Sequence, residues 1–264
     1  MSISSSTQPN KQEQLAAMRE FGNNANARLP VLFLLDASSS MNGIVRGDHQ
    51  QVLRQEYSDG INWNIVTGDN IVTRMDELNV GLQRFVRDIL ADPLAKLAAD
   101  VAVMTFARTV ATVKEFGPIR ESDSGLKIST SQENETLLGE AVELALDELD
   151  RRKRTYRAHG VEFYQPWLVV MTDGVPTSAR HRELEGRLKE LTAARKLSVF
   201  VFGIGRADLS ELCSISPGRP PMQVNDQKFP ELFAWLSRSV RTVSMSVPGD
   251  GVFLTPPPED VWQV

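Results

Sequence analysis

The chain has 264 residues, long enough for one large domain with a well-buried core and short for two complete ones. Hydrophobic residues at 41% and charged residues at 24% are the proportions of a soluble globular protein. A formal net charge of −5 argues against nonspecific nucleic-acid binding, and no apolar run reaches the length of a membrane span.

Residues 1–27 are rich in Ser, Gln and Asn and are expected to form a loosely held arm, within which Gln12 to Phe21 has the spacing of a short amphipathic helix. Met1 to Gln8 lack the apolar core of a secretory signal, so the expected location is cytoplasmic. Val31-Leu32-Phe33-Leu34-Leu35 then reads as a buried strand that runs straight into Asp36-Ala37-Ser38-Ser39-Ser40. Asp36, Ser38 and Ser40 alternate, so a sharp turn after the strand would aim their hard oxygens at one point, as a divalent cation requires. Ser and Asp also favour helix caps, and a Ser-rich capping turn accounts equally well for this segment taken alone.

Asn42 to Val72 carries Tyr57, Ile61, Trp63, Ile65 and Val66 among polar residues, too many apolar groups for a solvated linker, and is expected to have some order of its own. A helix follows from about Thr73, with Leu78, Leu82, Phe85, Val86 and Ile89 as its apolar stripe. Asp100–Phe106 and Thr109–Val113 are too close for a crossover helix and predict a hairpin with one antiparallel edge strand. Thr136 stands at the start of a helical pattern, where it could serve simply as an N-cap. That pattern runs from Leu138 to about Arg152 and ends in Arg151-Arg152-Lys153-Arg154, a basic run that suits a solvated helix C-terminus and, less well, a phosphate- or acid-binding patch.

Trp167 to Met171 is a second buried strand, and it runs into Thr172-Asp173-Gly174. An amphipathic stretch from Glu183 to Arg195, a buried strand from Leu197 to Gly205 and a last helix from Phe229 to Val243 complete the pattern. Strands alternating with helices predict an α/β fold with a mostly parallel sheet covered on both faces. Ligands of such sheets sit beyond the carboxyl ends of the strands, where Asp36 and Asp173 fall. Phe202-Gly203-Ile204-Gly205-Arg206 lacks the third glycine and the Lys-Ser or Lys-Thr of nucleotide loops, and reads as the end of a core strand. Cys213, the single cysteine, cannot form an intramolecular disulfide and reads as a small buried hydrophobe. With His49, His159 and His181 the only histidines, zinc is disfavoured.

Asp36-x-Ser38-x-Ser40, Thr136 and Asp173 have the order, spacing and strand-end placement of the metal-ion-dependent adhesion site of von Willebrand factor A domains, which the chain resembles from about Arg28 to Arg241. The resemblance implies a Rossmann-like fold over residues 28–245, with a central mostly parallel sheet, one antiparallel edge strand and helices on both faces. An insertion at about 42–72 adjoins the metal loop, and a Pro-rich tail covers 246–264. The resemblance further implies one divalent cation held by Asp36, Ser38, Ser40, Thr136 and Asp173, directly or through water. Magnesium is the first choice because neutral hydroxyls and retained waters suit it, with manganese or calcium as alternatives. Such a cation is left short of full neutralisation, so a partner protein's acidic side chain can complete its shell.

Three flanking features, Arg28-Leu29-Pro30-Val31, Asp92-Pro93 and the Pro-rich end from Pro256 to Trp262, resemble bacterial cytoplasmic TerY-type proteins linked to tellurium resistance. That narrower resemblance implies an adaptor working with a protein kinase and a PP2C-like phosphatase in stress or defence signalling. Ser39, where glycine is common in the family, and the insertion both depart from the pattern. No catalytic residue is assigned. A metal-dependent phosphoester hydrolase ranks below a binding module, because no second-metal cluster and no histidine beside the site is evident in the sequence. A structural subunit with a vestigial metal loop is the third reading.

Overall fold

The structure, a computed structural model, describes residues 26–261 except 59–60, 134, 175 and 206. The expected N-terminal helix and Trp262 lie outside the described residues. The first half of the chain contains β1 (Leu29–Asp36), β2 (Ile44–Ser58), β3 (Ile61–Thr73), α1 (Arg74–Ala91), α2 (Pro93–Ala98), β4 (Ala99–Phe106) and β5 (Val110–Pro118). The second half contains α3 (Leu138–Ala158), β6 (Trp167–Thr172), α4 (Arg180–Glu183), α5 (Glu185–Ala193), β7 (Ser198–Ile204), α6 (Leu209–Leu212), β8 (Met222–Val224) and α7 (Phe229–Ser244).

Six strands form one sheet in the order β5-β4-β1-β6-β7-β8, and only the β4–β5 pair at the edge is antiparallel. All eight residues of β1 are buried, as expected of a strand at the middle of a sheet covered on both sides. Side-chain alternation divides them: Val31, Phe33 and Leu35 join the core under α1 and α7, while Leu32 and Leu34 join the core under α3 and α5. In the first layer Phe33 meets Phe85 edge-on at 5.0 Å between ring centroids, with Phe233 at 5.6 Å, which fixes α1 and α7 against the strand. This is the Rossmann-like arrangement expected from the sequence, and it leaves the carboxyl ends of β1 and β6 side by side.

The segment expected as an insertion is a long two-stranded antiparallel ribbon, β2 with β3, that shares no strand with the main sheet. Its base adjoins the body through Arg46, whose guanidinium lies 2.5 Å from the buried carboxylate of Glu77 on α1. Val52, Leu53 and Tyr57 are strongly exposed along it, so Tyr57 is not an internal anchor of the domain. The side chains of Ile61 and Trp63 lie outside the described ones. Thr73 ends the ribbon and caps α1, accepting from the Asp76 backbone N–H while the Asp76 carboxylate accepts from the Thr73 backbone N–H.

Two local expectations are corrected, and one strand, β8, was not foreseen. The strand β8 has only three residues, too short to announce itself by periodicity. Cys213 is exposed, because the short turn after α6 directs Leu212 and Ile215 inward and leaves the thiol on the outer side. The basic run does not end its helix: α3 continues to Ala158, and Arg152 is buried. Arg152 Nε donates to Asp100 Oδ2 at 2.9 Å, and the Tyr156 hydroxyl donates to the same oxygen. The pair is viable in the interior only because the two groups neutralise each other. Arg152→Ala should therefore cost about 3–5 kcal/mol by leaving Asp100 without its main counter-charge, read as a lower urea midpoint at unchanged slope.

Candidate functional site

Asp36 is the last residue of β1 and Asp173 the first after β6, so parallel pairing of these neighbouring strands brings two carboxylates together at one end of the sheet. Both are buried. The loop after β1 turns back at once: Asp36 Oδ1 accepts from the Ser38 backbone N–H at 2.8 Å, a bond that fixes the alternation of Ser38 and Ser40. The Ser38 and Ser40 hydroxyls are 2.9 Å apart, and Ser40 Oγ donates to Asp173 Oδ1 at 2.5 Å. Thr172 Oγ1 donates to Asp36 Oδ2 at 2.5 Å, tying β6 to β1 through side chains as well as backbone.

Thr136 reaches the cluster from the loop before α3. It is not the N-cap of that helix; Leu137 holds the cap position and makes no side-chain bond there. Instead the Thr136 N–H donates to Thr177 Oγ1 at 3.2 Å, and the Thr177 N–H donates to the Thr136 carbonyl at 3.1 Å. This exchange seats Thr136 against the turn after β6, where a Cβ on Gly174 would come within 2.7 Å of Thr136 Oγ1. Glycine is thus required at 174 by close approach. The structure brings Asp36, Ser38, Ser40, Thr136 and Asp173 to one strand-end surface. The Ser39 N–H donates to the Glu133 carbonyl at 3.0 Å, which ties the turn after β1 to the loop before α3.

Arg74, the first residue of α1, has no counterpart in the sequence reading. Its Nη1 lies 3.1 Å from Asp173 Oδ2 and its Nε 2.8 Å from Asp226 Oδ2, so one guanidinium links the carboxylate after β6 to the segment just past β8. Gly205, at φ +59°, passes so close that a Cβ would fall 2.5 Å from Arg74 Nη2, and its N–H donates to Asp226 Oδ1 at 2.8 Å. No motif flags Arg74 or Asp226, because their relation spans 152 residues and exists only in the fold.

Burial pushes the Asp36 carboxyl above its ordinary range, against hydrogen bonds from Ser38 and Thr172 that pull it down. Asp173 is pushed up to about 6, first by burial and then by the charge of Asp36, with Ser40 and Arg74 opposing. Two carboxylates that repel each other, surrounded by hydroxyls, fit a hard divalent cation. Among the described residues no group of three or more His, Cys, Asp or Glu side chains gathers, so hydroxyls must supply the remaining donors.

The sequence model of the von Willebrand factor type A domain matches residues 31–234. No curated protein sequence matches the chain. Among solved structures, the protein BatB of Bacteroides thetaiotaomicron is 17% identical with a TM-score of 0.53, over 83% of this chain and 100% of that one. Proximal thread matrix protein 1 from the mussel byssus is 16% identical with a TM-score of 0.52, over 82% of this chain and 47% of that one. The chain therefore spans about half the length of the byssus protein. A second structure of that byssus protein, with a zinc-occupied MIDAS motif, is 18% identical with a TM-score of 0.51, over 84% of this chain and 47% of that one.

A raised carboxyl pKa in the folded state means that the folded protein holds the proton more tightly than the unfolded chain. For Asp173 this lowers stability as pH rises from the ordinary carboxyl value of 3.8 to about 6, and the loss persists above that window. The full shift corresponds to at most ~3 kcal/mol. In EDTA, Asp173→Asn should therefore gain stability relative to wild type as pH rises from 4 to about 7, measured as the difference between their urea midpoints. Arg74→Ala should tighten manganese binding by about tenfold, ~1.4 kcal/mol, by removing a competing cation from Asp173, as read by calorimetry.

Proposed function

The chain belongs to the von Willebrand factor type A domain family, and from that premise we propose that it is a divalent-metal-dependent protein-interaction module. The observation that carries this reading is the hydrogen-bonded cluster of Asp36, Ser38, Ser40 and Asp173, with Thr136 packed beside it. Asp36 and Asp173 supply charge, while Ser38, Ser40 and Thr136 supply neutral oxygens directly or through water. The zinc-occupied MIDAS motif of the mussel protein supports a divalent cation at such a site. Magnesium suits this donor set best, since two carboxylates and neutral hydroxyls leave room for retained waters. A partner's acidic side chain then completes the shell, and the site acts by docking rather than by turnover.

The TerY-type adaptor role, with a protein kinase and a PP2C-like phosphatase as partners, is the narrower form of this reading. Its support is the flanking sequence alone. A cytoplasmic location accords with it, and among the described residues no helix is long and apolar enough to cross a membrane. We assign the ribbon of β2 and β3 the role of a rim that selects the partner, because it leaves the metal loop at Ile44 and re-enters the body at Arg74 beside Asp173. Val52, Leu53 and Tyr57 offer it exposed apolar surface.

Calorimetry should detect magnesium or manganese binding that Asp36→Ala and Asp173→Ala abolish; unchanged affinity in both variants would remove these residues as ligands. Ser38→Ala combined with Ser40→Ala should lose partner recovery in magnesium while circular dichroism is retained. Replacing residues 44–72 by a short Gly-Ser linker should preserve metal binding and weaken partner retention by about 2 kcal/mol or more, seen as faster dissociation. Metal-dependent hydrolysis of phosphoesters, lost in Asp36→Ala, would replace the docking reading with an enzymatic one.

A further inference from the structure

At the end of the sheet opposite the carboxylates, around the first residues of β6 and β7, lies a cavity of about 810 Å³. This falls within the size of small-molecule sites, roughly 300–1,000 Å³. Its charged lining is one-sided: Lys153, Arg157, Arg195, Lys196 and Arg219 against a single carboxylate, Asp250. Lys153 pairs with Asp150 outside the cavity lining, and Arg157 stacks over Phe163 at 5.6 Å. Among the described residues Arg195, Lys196 and Arg219 make no ion pair. The Arg219 guanidinium lies 4.3 Å from the Phe200 ring centroid, and desolvation there pulls its pKa below the usual arginine value.

Two further features face the same space. Thr192 Oγ1 is buried with no hydrogen-bond partner among the described residues, an arrangement that costs free energy unless a ligand or water meets it. Phe253, on the C-terminal segment that forms the opposite wall, is 97% exposed. That segment is held in place elsewhere: Trp235 Nε1 donates to the Thr255 carbonyl at 2.6 Å, and the Asn225 N–H donates to the Val261 carbonyl at 2.9 Å. The exposed ring is thus presented by anchored backbone.

We propose that this cavity binds a nucleoside phosphate. Arg195, Lys196 and Arg219 line the cavity with charges to pair a phosphate, Thr192 adds a hydroxyl, and Phe253 offers a face to a flat base. The site lies about 20 Å from the metal loop along β6, by the rise of an extended strand, and is independent of it.

The test is calorimetric titration of the full chain with ATP and, separately, inorganic tripolyphosphate, both in EDTA so that the metal loop does not contribute. ATP should bind saturably at micromolar concentration, and tripolyphosphate at least tenfold more weakly. Arg219→Ala combined with Lys196→Ala should weaken ATP at least tenfold, and Phe253→Ala should weaken ATP but not tripolyphosphate. Lys196→Glu, at an exposed position, serves the same purpose if the double variant loses its circular dichroism. Absence of saturable ATP binding up to millimolar concentration would overturn the proposal, as would equal affinity for ATP and tripolyphosphate or wild-type affinity in Lys196→Glu.

Discussion

The feature on which the rest of the structure depends is the burial of two carboxylates on neighbouring parallel strands. Asp36 and Asp173 are out of water and close enough for the charge of Asp36 to raise the pKa of Asp173. A pair like this is tolerated only where its surroundings compensate, because buried like charges cannot both ionise cheaply. The compensation here comes from several segments: Ser38 and Ser40 from the β1 turn, Thr172 from β6, and Arg74 from α1. The turn after β1, the exit of β6 and the start of α1 are therefore fixed by one electrostatic requirement. A divalent cation, as proposed for this site, would meet the same requirement more completely.

Arg74 connects that requirement to the rest of the molecule. Its guanidinium touches Asp173 on one side and Asp226 on the other, while its backbone begins the helix that follows the ribbon. Arg74 thus joins Asp173, by direct contacts, to the foot of β3 and to the segment after β8. Among the described residues the ribbon is held by its own ladder and, at its base, by the Arg46–Glu77 pair. Such an element is well placed to adapt to a partner without disturbing the sheet.

The sheet also separates two kinds of chemistry. Its carboxyl end gathers acids and hydroxyls suited to a cation, and its amino end gathers arginines and lysines around a cavity. Between them β6 is buried along its whole length. The buried pair of Arg152 and Asp100 marks how the basic run of α3 is apportioned: Arg152 is spent on the core, while Lys153 faces the cavity.

Much of this was legible in the residues themselves. The apolar runs of β1, β6 and β7 declare buried strands because a strand covered on both faces has no polar side, and the β4–β5 hairpin follows from a link too short for a crossover. The Asp36-x-Ser38-x-Ser40 pattern, Thr136 and Asp173 carry a family's spacing, so the candidate donors could be named in advance. What the sequence could not settle were relations between distant segments. Whether Thr136 caps a helix or faces the carboxylates depends on its packing against Gly174, and whether Arg152 is solvated depends on Asp100 arriving beside it. Arg74, Asp226 and the cavity around Arg219 follow no local period, since each depends on side chains that meet only once the sheet and its helices are assembled. Local periodicity encodes which face a residue turns; only tertiary packing decides which charge it meets there.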